Sequence, residues 1–334
     1  AIVGEAIVEQ GSHACKDRTR SVSLERPIVS DFKRLFRTLA FANFFLYFGF
    51  NVWRAVFNNF AVEELGVGAE QMGLIQAVRE LPGLMGFVLG FLALVLSEMR
   101  LMGLSVLLLG LGLVICGGSD TLSVLMVGAL VMSVGFHFFY PSNSSVVLMA
   151  AGKEEAPKTL GRLRSVSSLA AVVGTLVVWV FIEGVEFGAI SIPAWGYRVV
   201  LYAAGGVVIA GSLFALRNGE QKGRQYQSRK VVFRREYWLY YALTFMMGCR
   251  RHIFTTFAIF LLVQVYGISV RETATLFLVN HMISTYSGAQ LGRLVARFGE
   301  RKVLTANFVG LVFVFLGYAV LPVLPILYGL FVLD

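Results

Sequence analysis

Long apolar runs separated by short polar breaks dominate the chain. A helix needs about 20 mostly apolar residues to cross the roughly 30 Å hydrocarbon core of a bilayer. The runs therefore predict nine complete membrane-spanning helices and the start of a tenth after Pro325. The predicted spans are 36–62, 69–96, 101–117, 121–150, 159–183, 197–216, 237–264, 270–292 and 303–320.

One polar break inside the apolar part is much longer than the others and carries many basic residues. Six predicted spans precede it, so it divides the chain into two helical bundles. The sequence begins with Ala1 rather than Met and ends within the tenth span, so we expect a C-terminally truncated form of a longer protein. The predicted organisation is a cytoplasmic tail (1–34), a six-helix bundle (35–216), a basic linker (217–235) and an incomplete second bundle (236–334).

Composition agrees with a protein embedded in lipid. Apolar residues make up 57% of the chain and charged residues 15%, with a mean hydropathy of +0.73. Soluble domains carry about 25% charged residues. A bilayer is therefore the predicted solvent, and a channel, a transporter and a membrane-embedded enzyme all remain open.

The basic residues fall almost entirely on one side of the predicted membrane. Of 29 Lys and Arg, 23 lie in the tail and in the loops on its side, and 2 lie in the opposite loops. Such asymmetry places the basic side in the cytoplasm, where anionic lipid headgroups lie. It also accounts for the net charge of +9 without nucleic acid as a partner. We expect a monomeric protein of a bacterial inner (plasma) membrane with a cytoplasmic N-terminus.

Motifs for cofactors and metals are missing from the sequence. Cys15, Cys116 and Cys249 lie far apart, with no C-x-x-C pair and no His at ligand spacing, so we predict no metal site. No G-x-x-x-x-G-K-S/T motif is present, which excludes an ATP-driven motor within this chain. We expect no cofactor.

Two landmarks recur in the two bundles. The segment 54–60 (RAVFNNF) matches 251–257 (RHIFTTF) at an offset of 197 residues. The segment 90–100 matches 292–302 at an offset of 202, with a Gly-x-Leu start and an acidic-basic end in both. Transporter folds are often built from internal repeats, so these matches predict a parallel duplication.

The second landmark carries a family resemblance. The segment 292–302 (GRLVARFGERK) is similar to the cytoplasmic pattern G-x-L-A-D-R-x-G-R-R, and 195–198 (WGYR) gives a further match. Together with Gly135 and Pro141 in the fourth span, they make the chain resemble the major facilitator superfamily. Leu94 and Ala296 stand where the family has Asp. The resemblance implies an all-α polytopic fold of two pseudo-symmetric bundles and a cytoplasmic gate motif at Gly90, Glu98, Arg100, Gly292, Arg297, Gly299, Arg301 and Lys302.

The resemblance also implies that the first, fourth, seventh and tenth spans line a central cavity. Three of these spans carry polar residues at near-helical spacing, which places them on one face of each helix. We therefore predict a shared aqueous cavity. The substrate-binding candidates are Asn51, Arg54, Asn58, His137, Tyr140, Arg251 and Thr255.

Arg54 and Arg251 occupy matching positions of the two halves inside predicted spans. A cation at membrane depth costs at least about 2.5 kcal/mol on insertion scales, so it faces a cavity, a partner or a substrate. One reading is a pair of guanidiniums that bind a carboxylate-bearing substrate. The alternative is that each Arg bonds neighbouring groups and holds helices together.

Glu80 and His281 are the coupling candidates. Glu80 is an acid well inside a span, next to Arg79. For Arg79 itself, the sequence supports no functional inference. Glu80 is either a proton site or part of a fixed ion pair with Arg54. His137 and His281 can carry protons near neutral pH, or can simply pack.

These features predict a secondary active transporter, a symporter or antiporter that moves a small anionic or zwitterionic solute by alternating access, with proton coupling as an option. We expect no enzyme activity. Two alternatives stay open: a membrane-embedded transferase using His137, and a non-transporting sensor or assembly factor on the same scaffold.

Overall fold

The structure is a computed structural model that describes most of the chain. Backbone is described for residues 29–85, 87–93, 95–187, 190–192, 195–218 and 235–333. Within these ranges the side chains left undescribed are those of 29–31, 87, 152–154, 185–187, 190–192, 218, 240, 243–245, 247–255, 284–293, 295–296 and 300.

Helices form nearly all of the described chain, which confirms the predicted all-α polytopic class. Six described segments are long and apolar enough to cross a membrane. The elements are α1 (Val29–Asn59) with a π-helical turn (Phe60–Glu64), α2 (Ala69–Leu84), α3 (Phe87–Leu92), α4 (Glu98–Gly117), α5 (Leu122–Phe181), β1 (Val185–Phe187), β2 (Ile190–Ile192), α6 (Gly196–Asn218), a 3-10 turn (Arg235–Tyr237), α7 (Trp238–Tyr266), α8 (Val270–Phe298), α9 (Glu300–Val320) and α10 (Leu324–Leu333).

Polar caps and glycines set several helix boundaries. Ser97 Oγ accepts a hydrogen bond from the backbone N–H of Arg100 at the start of α4, and Thr121 Oγ1 does the same for Val124 at the start of α5. Gly267 adopts φ 62° at the end of α7, and Gly299 adopts φ 84° before α9. These left-handed conformations favour glycine, which has no Cβ.

The predicted fourth and fifth spans form one continuous helical element, whereas the sequence predicted two helices joined by a loop. All 60 residues of α5 are helical, yet the element folds back on itself. Asn43 donates to Asn143 Oδ1 (3.0 Å) and accepts from Ser167 Oγ (3.3 Å), and these two partners lie 24 positions apart in the sequence. A straight helix would hold them about 36 Å apart. The element thus has two arms, the first carrying Asn143 and the second carrying Ser167, and both pack against α1.

Glycines allow close packing of α4 against α5. A Cβ atom on Gly135 would overlap the carbonyl oxygen of Ser105, and one on Gly112 would overlap the backbone nitrogen of Met132. Membrane helices associate through such small residues because lipid gives no hydrophobic force between them. The close approach holds the first half together.

Two sets of helices meet at the cavity described below. The first half comprises α1 to α6, and the described part of the second comprises α7 to α10. We call the end that carries the β-hairpin the hairpin end; its described residues are 59–68, 117–121, 182–187, 190–192, 195–196 and 266–272. The antiparallel hairpin pairs Val185 with Ile192 and was not predicted.

Candidate functional site

A cavity of about 210 Å³ lies between the two halves. Four elements contribute: α1, α2, the first arm of α5, and α7 through Thr256. Ligand cavities occur preferentially at such junctions. The lining residues are Phe50, Trp53, Arg54, Phe57, Asn58, Gln76, Arg79, Glu80, Met132, Ser133, Phe136, His137 and Thr256.

Arg54 links the two halves at the cavity. Its guanidinium carbon lies 4.5 Å from the ring centroid of Phe277 on α8, which is cation–π geometry. His281, the second coupling candidate, is also on α8 and is not among the described lining residues of the cavity. Arg54 therefore places a positive charge beside the cavity, and its contact with Phe277 joins α1 to α8.

Arg79 places a second guanidinium in the cavity wall. The residue is only 9% exposed, and its Nη2 lies 2.5 Å from Glu80 Oε1. Its carbon lies 5.3 Å from the ring of Trp53. Pro82 lies inside α2, where it removes one backbone donor, and the Ser133 hydroxyl of α5 donates to the Arg79 carbonyl. This bond ties α2 to α5 at the site.

Glu80, His137 and Ser133 form a chain of polar contacts. His137 Nε2 lies 3.3 Å from Glu80 Oε2, and His137 Nδ1 lies 3.0 Å from both the Oγ and the carbonyl oxygen of Ser133. Because the Ser133 hydroxyl donates to Arg79, Nδ1 must be the donor in its contact with Ser133. Nε2 is then the ring nitrogen that faces the Glu80 carboxylate in the cavity wall.

Four buried polar atoms of the lining find no hydrogen-bond partner among the described residues. They are Trp53 Nε1, Asn58 Oδ1, Gln76 Oε1 and Arg79 Nε. An unsatisfied buried donor or acceptor costs about 1–3 kcal/mol. Such atoms are rare in folded proteins, and here they are grouped around one cavity.

Aromatic rings form a further part of the wall. Phe50 and Phe136 stack with centroids 4.2 Å apart, and Trp53 and Phe57 pack at 4.4 Å. Offset and tilted rings at these distances give firm packing. The cavity wall thus combines polar groups with aromatic rings.

The structure brings together four of the residues predicted from sequence. Arg54, Asn58, His137 and Glu80 all line the cavity, from three different helices. Glu80 contacts Arg79 and His137, while its predicted pair with Arg54 stays a prediction.

The remaining candidates lie elsewhere or outside the described side chains. Asn51 is buried and donates to the Tyr47 carbonyl at 2.7 Å, within its own helix. Tyr140 is 67% exposed and is not a lining residue. The side chains of Arg251 and Thr255 lie outside those that the structure describes.

The two copies of the predicted gate motif lie at corresponding corners. Gly90 is in α3, and Glu98 and Arg100 are in the first turn of α4. In the second copy, Gly299 is the left-handed residue that separates α8 from α9. Gly292 belongs to the backbone of α8, and the side chains of Arg297, Arg301 and Lys302 are exposed at this corner.

Sequence reasoning missed Arg79 and Gln76. Both lie on α2, which the resemblance did not include among the cavity-lining spans. The helical spacing of Gln76, Arg79 and Glu80 could have shown them, because residues three and four apart share one face. An acid beside a base inside a span was the second available signal.

The hairpin end joins the two halves through Asn59. This fully buried side chain donates to the Ile268 carbonyl at 2.8 Å and to Glu63 at 2.9 Å. Its oxygen accepts from Thr273 Oγ1 at 3.3 Å. One amide thus spans the junction between α1 and the α7–α8 connection.

Arg271 makes a second junction at the same end. Its Nε lies 3.4 Å from Glu183 Oε2, it donates to the Gly184 carbonyl, and its guanidinium lies over the ring of Trp179. Trp179 in turn donates to Thr275 at 3.2 Å. The hairpin end is therefore closed by direct bonds between α5 and α8.

Comparison with known proteins identifies the family of this chain. The family model described as the Major Facilitator Superfamily matches residues 39–333. The chain belongs to the Major Facilitator Superfamily. This confirms the family suggested by the loop motif, and it supports a secondary transporter rather than an enzyme. Membership also agrees with integral membrane embedding and a small-molecule substrate.

Solved structures of other superfamily members share the fold. A bacterial homologue of the human lysosomal transporter Spinster, in an inward-facing and occupied conformation, matches with a TM-score of 0.68 at 15% identity, covering 90% of this chain and 70% of that one. The nucleoside transporter NupG matches with a TM-score of 0.67 at 15% identity, covering 90% and 77%. Among curated proteins, none is similar enough in sequence to count as a relative.

Proposed function

We propose that this superfamily member moves a small anionic or zwitterionic solute across the membrane by alternating access. The observation that carries the proposal is the cavity between the halves, with Arg54 and Arg79 in its wall. Guanidinium groups present a planar fork of donors that matches a carboxylate. The cavity, at about 210 Å³, suits a small solute.

The charges of the described lining favour an anionic group. Two guanidiniums face one carboxylate, Glu80, which Arg79 already contacts. Keeping a cation at membrane depth is costly unless an anion or a cavity compensates. A solute carboxylate would bind the Arg54 guanidinium, and from the sequence repeat we expect Arg251 of the second half to contribute as well.

Alternating access fits the closed hairpin end. Bonds from Asn59 and Arg271 tie the halves there, and they would have to break for the cavity to open on that side. We place this end outside the cell and the N-terminus in the cytoplasm of a bacterium, because the basic loops lie at the opposite end. We also propose that the protein works as a monomer, with its cavity inside one chain.

The Glu80 and His137 pair is our candidate for proton coupling. The two side chains lie 3.3 Å apart in the cavity wall, next to Arg79. A solute carboxylate that draws Arg79 away from Glu80 would make protonation of Glu80 easier, since the compensating cation would be lost. Solute and proton binding would then be linked.

Uptake into proteoliposomes tests the solute class. Purified protein is reconstituted and assayed with labelled organic acids and zwitterions, and the recovered solute is checked for chemical change. We expect transport without turnover, and a loss of at least about tenfold in uptake for Arg54→Ala and Arg251→Ala, as expected for a lost charge-assisted bond. Arg162→Ala, at an exposed position of α5, is the matched control. Unchanged uptake by both variants would end the arginine proposal, and a modified solute would favour the transferase.

Glu80→Gln tests the coupling separately. We expect this variant to lose accumulation driven by a pH gradient but to keep exchange of labelled for unlabelled solute. Exchange needs only the binding site, whereas accumulation needs the proton. Accumulation equal to that of the unaltered protein would show that Glu80 is not the coupling group.

A further inference from the structure

The unpartnered atoms of the cavity differ in chemistry. Asn58 Oδ1 and Gln76 Oε1 are hydrogen-bond acceptors, and Trp53 Nε1 and Arg79 Nε are donors. Asn58 is 7% exposed and Arg79 is 9% exposed. All four residues line one cavity and come from two helices of the first half, α1 and α2. A plain carboxylate could satisfy the donors but not the two acceptors.

We propose that these groups bind a hydrogen-bond donor that sits beside the carboxylate of the solute. This rests on the proposed function and narrows its substrate class. The solute would be a small acid with an ammonium or hydroxyl group near its carboxylate, as in amino acids and 2-hydroxy acids. Asn58 and Gln76 accept from that N–H or O–H group, and Arg79 donates to the carboxylate.

The rest of the wall fits such a solute. Aromatic residues in the lining accommodate an apolar part of the solute. They are Phe50, Trp53, Phe57 and Phe136. A ligand site is commonly apolar with a few convergent polar groups that set orientation. Here the polar groups are the amide oxygens of Asn58 and Gln76 and the guanidinium of Arg79.

Binding requires the amide groups to turn. The Asn58 and Gln76 oxygens are covered by neighbouring atoms, although both residues line the cavity. Gln76 Nε2 has only a weak contact with Met72 Sδ, at 3.8 Å. The Gln76 amide is therefore lightly held and can rotate toward a donor. Its oxygen gains a partner only when the solute enters.

The test uses matched trios of ligands on purified protein. Each trio has a simple acid, the 2-hydroxy acid and the 2-amino acid with the same carbon skeleton: propionate, lactate and alanine, or 3-phenylpropionate, 3-phenyllactate and phenylalanine. Binding is followed by the shift in melting temperature and by Trp fluorescence. We expect a hydroxy or amino member to bind at least about tenfold more tightly than its simple acid. The preferred member identifies a hydroxyl or an ammonium as the donor.

Two variants test the residues themselves. Gln76→Met keeps the shape of the side chain, and Asn58→Leu removes the second acceptor. We expect both to bind all members of a trio about equally, with the tenfold preference lost. Gln76→Met should keep the melting temperature of the ligand-free protein, because it removes an atom without a partner. Gln264→Met, at an exposed position of α7, is the control.

The outcomes separate this inference from the proposed function. Binding of simple acids that equals that of their hydroxy and amino relatives, with loss in Arg54→Ala, overturns the inference and leaves the proposed function intact. A preference that survives in both Gln76→Met and Asn58→Leu also overturns it. A lower melting temperature of ligand-free Gln76→Met would assign Gln76 a packing role. No binding by any trio would overturn both.

Discussion

Gly83 gives the imidazole of His137 room to reach Glu80. A Cβ atom added to Gly83 would lie 2.9 Å from His137 Cδ2 and 3.0 Å from Nε2. These separations are closer than van der Waals contact, so the ring would have to move. Nε2 is the atom that faces Glu80 at 3.3 Å. The absence of a Cβ atom at Gly83 therefore allows the contact between His137 and Glu80.

We predict that Gly83→Ala impairs coupled transport more than folding. The shifted ring lengthens the contact between His137 and Glu80, so accumulation driven by a pH gradient should fall by about tenfold, equivalent to about 1.4 kcal/mol. Transport is measured in proteoliposomes at matched protein content. Gly206→Ala is the control, because a Cβ atom there has open space. Equal loss in both variants would contradict a specific role for Gly83.

Arg54 and Arg79 differ in how readily the sequence alone identifies them as cavity residues. Arg54 was identified from sequence because a lone cation inside a span is unusual. Arg79 is a cation of the same kind, but the adjacent Glu80 offered it a simple partner in the sequence. Its place in the cavity depends on the packing of α2 against α5, which Ser133 fixes through the Arg79 carbonyl.

The end of α1 changes from α-helix to a π-helical turn at Phe60–Glu64. Asn59 lies directly before this turn, and Glu63 within it is one of its partners. π-helical turns are rare and are frequent at functional sites. Here the turn lies where α1 bonds to the second half, through Ile268 and Thr273.

We predict that Asn59→Ala opens the hairpin end. The change leaves the Ile268 carbonyl and the Thr273 hydroxyl buried without their partner, at a cost of about 1–3 kcal/mol while the end stays closed. Water can satisfy both groups once the end opens. A cysteine at position 274, where Ala274 is fully buried, should then react about tenfold faster with a membrane-impermeant maleimide.

The reporter is placed in a background with Cys15, Cys116 and Cys249 replaced by Ala. Thr121→Ala serves as the control, since Thr121 caps α5 at the same end but within the first half. An unchanged reaction rate in Asn59→Ala would show that this amide does not hold the halves together.

The molecule as a whole separates its charges along the membrane normal. Basic residues gather at the end opposite the hairpin, where the loop motif and the connection within α5 also lie. At the hairpin end, Arg198 and Arg271 both contact acids: Arg198 pairs with Asp120 at 2.9 Å, and Arg271 with Glu183 at 3.4 Å. Both of these arginines are therefore paired with an acid at the hairpin end.

We predict the orientation of the chain from this separation. In intact cells, a cysteine replacing Glu70 should react with a membrane-impermeant maleimide, and one replacing Lys158 should react only after permeabilisation. Both positions are exposed in the structure, so access to reagent depends on the side of the membrane. The reverse labelling pattern would place the N-terminus outside.

The sequence by itself determined the membrane class, the family and most of the helices. Two helix predictions were wrong: the predicted span 69–96 is divided into α2 and α3, and the predicted fourth and fifth spans form the one element α5. Apolar runs of bilayer length are a local property, because each helix satisfies its own backbone hydrogen bonds in lipid. The loop motif also depends on local geometry, as the left-handed conformation of Gly299 shows. Arg54, Asn58, His137 and Glu80 were found because polar residues in a span are costly wherever they lie.

Only the tertiary structure decided how these groups combine. Two partners of Glu80, Arg79 and His137, are on α2 and α5, and the distance between Glu80 and His137 depends on how those helices pack around Gly83. Asn51 and Asn58 share one stripe of α1, yet Asn51 bonds within its own helix while Asn58 lines the cavity. Helical periodicity assigns a residue to a face, but the neighbouring helix decides whether that face meets a cavity, a partner or the interior.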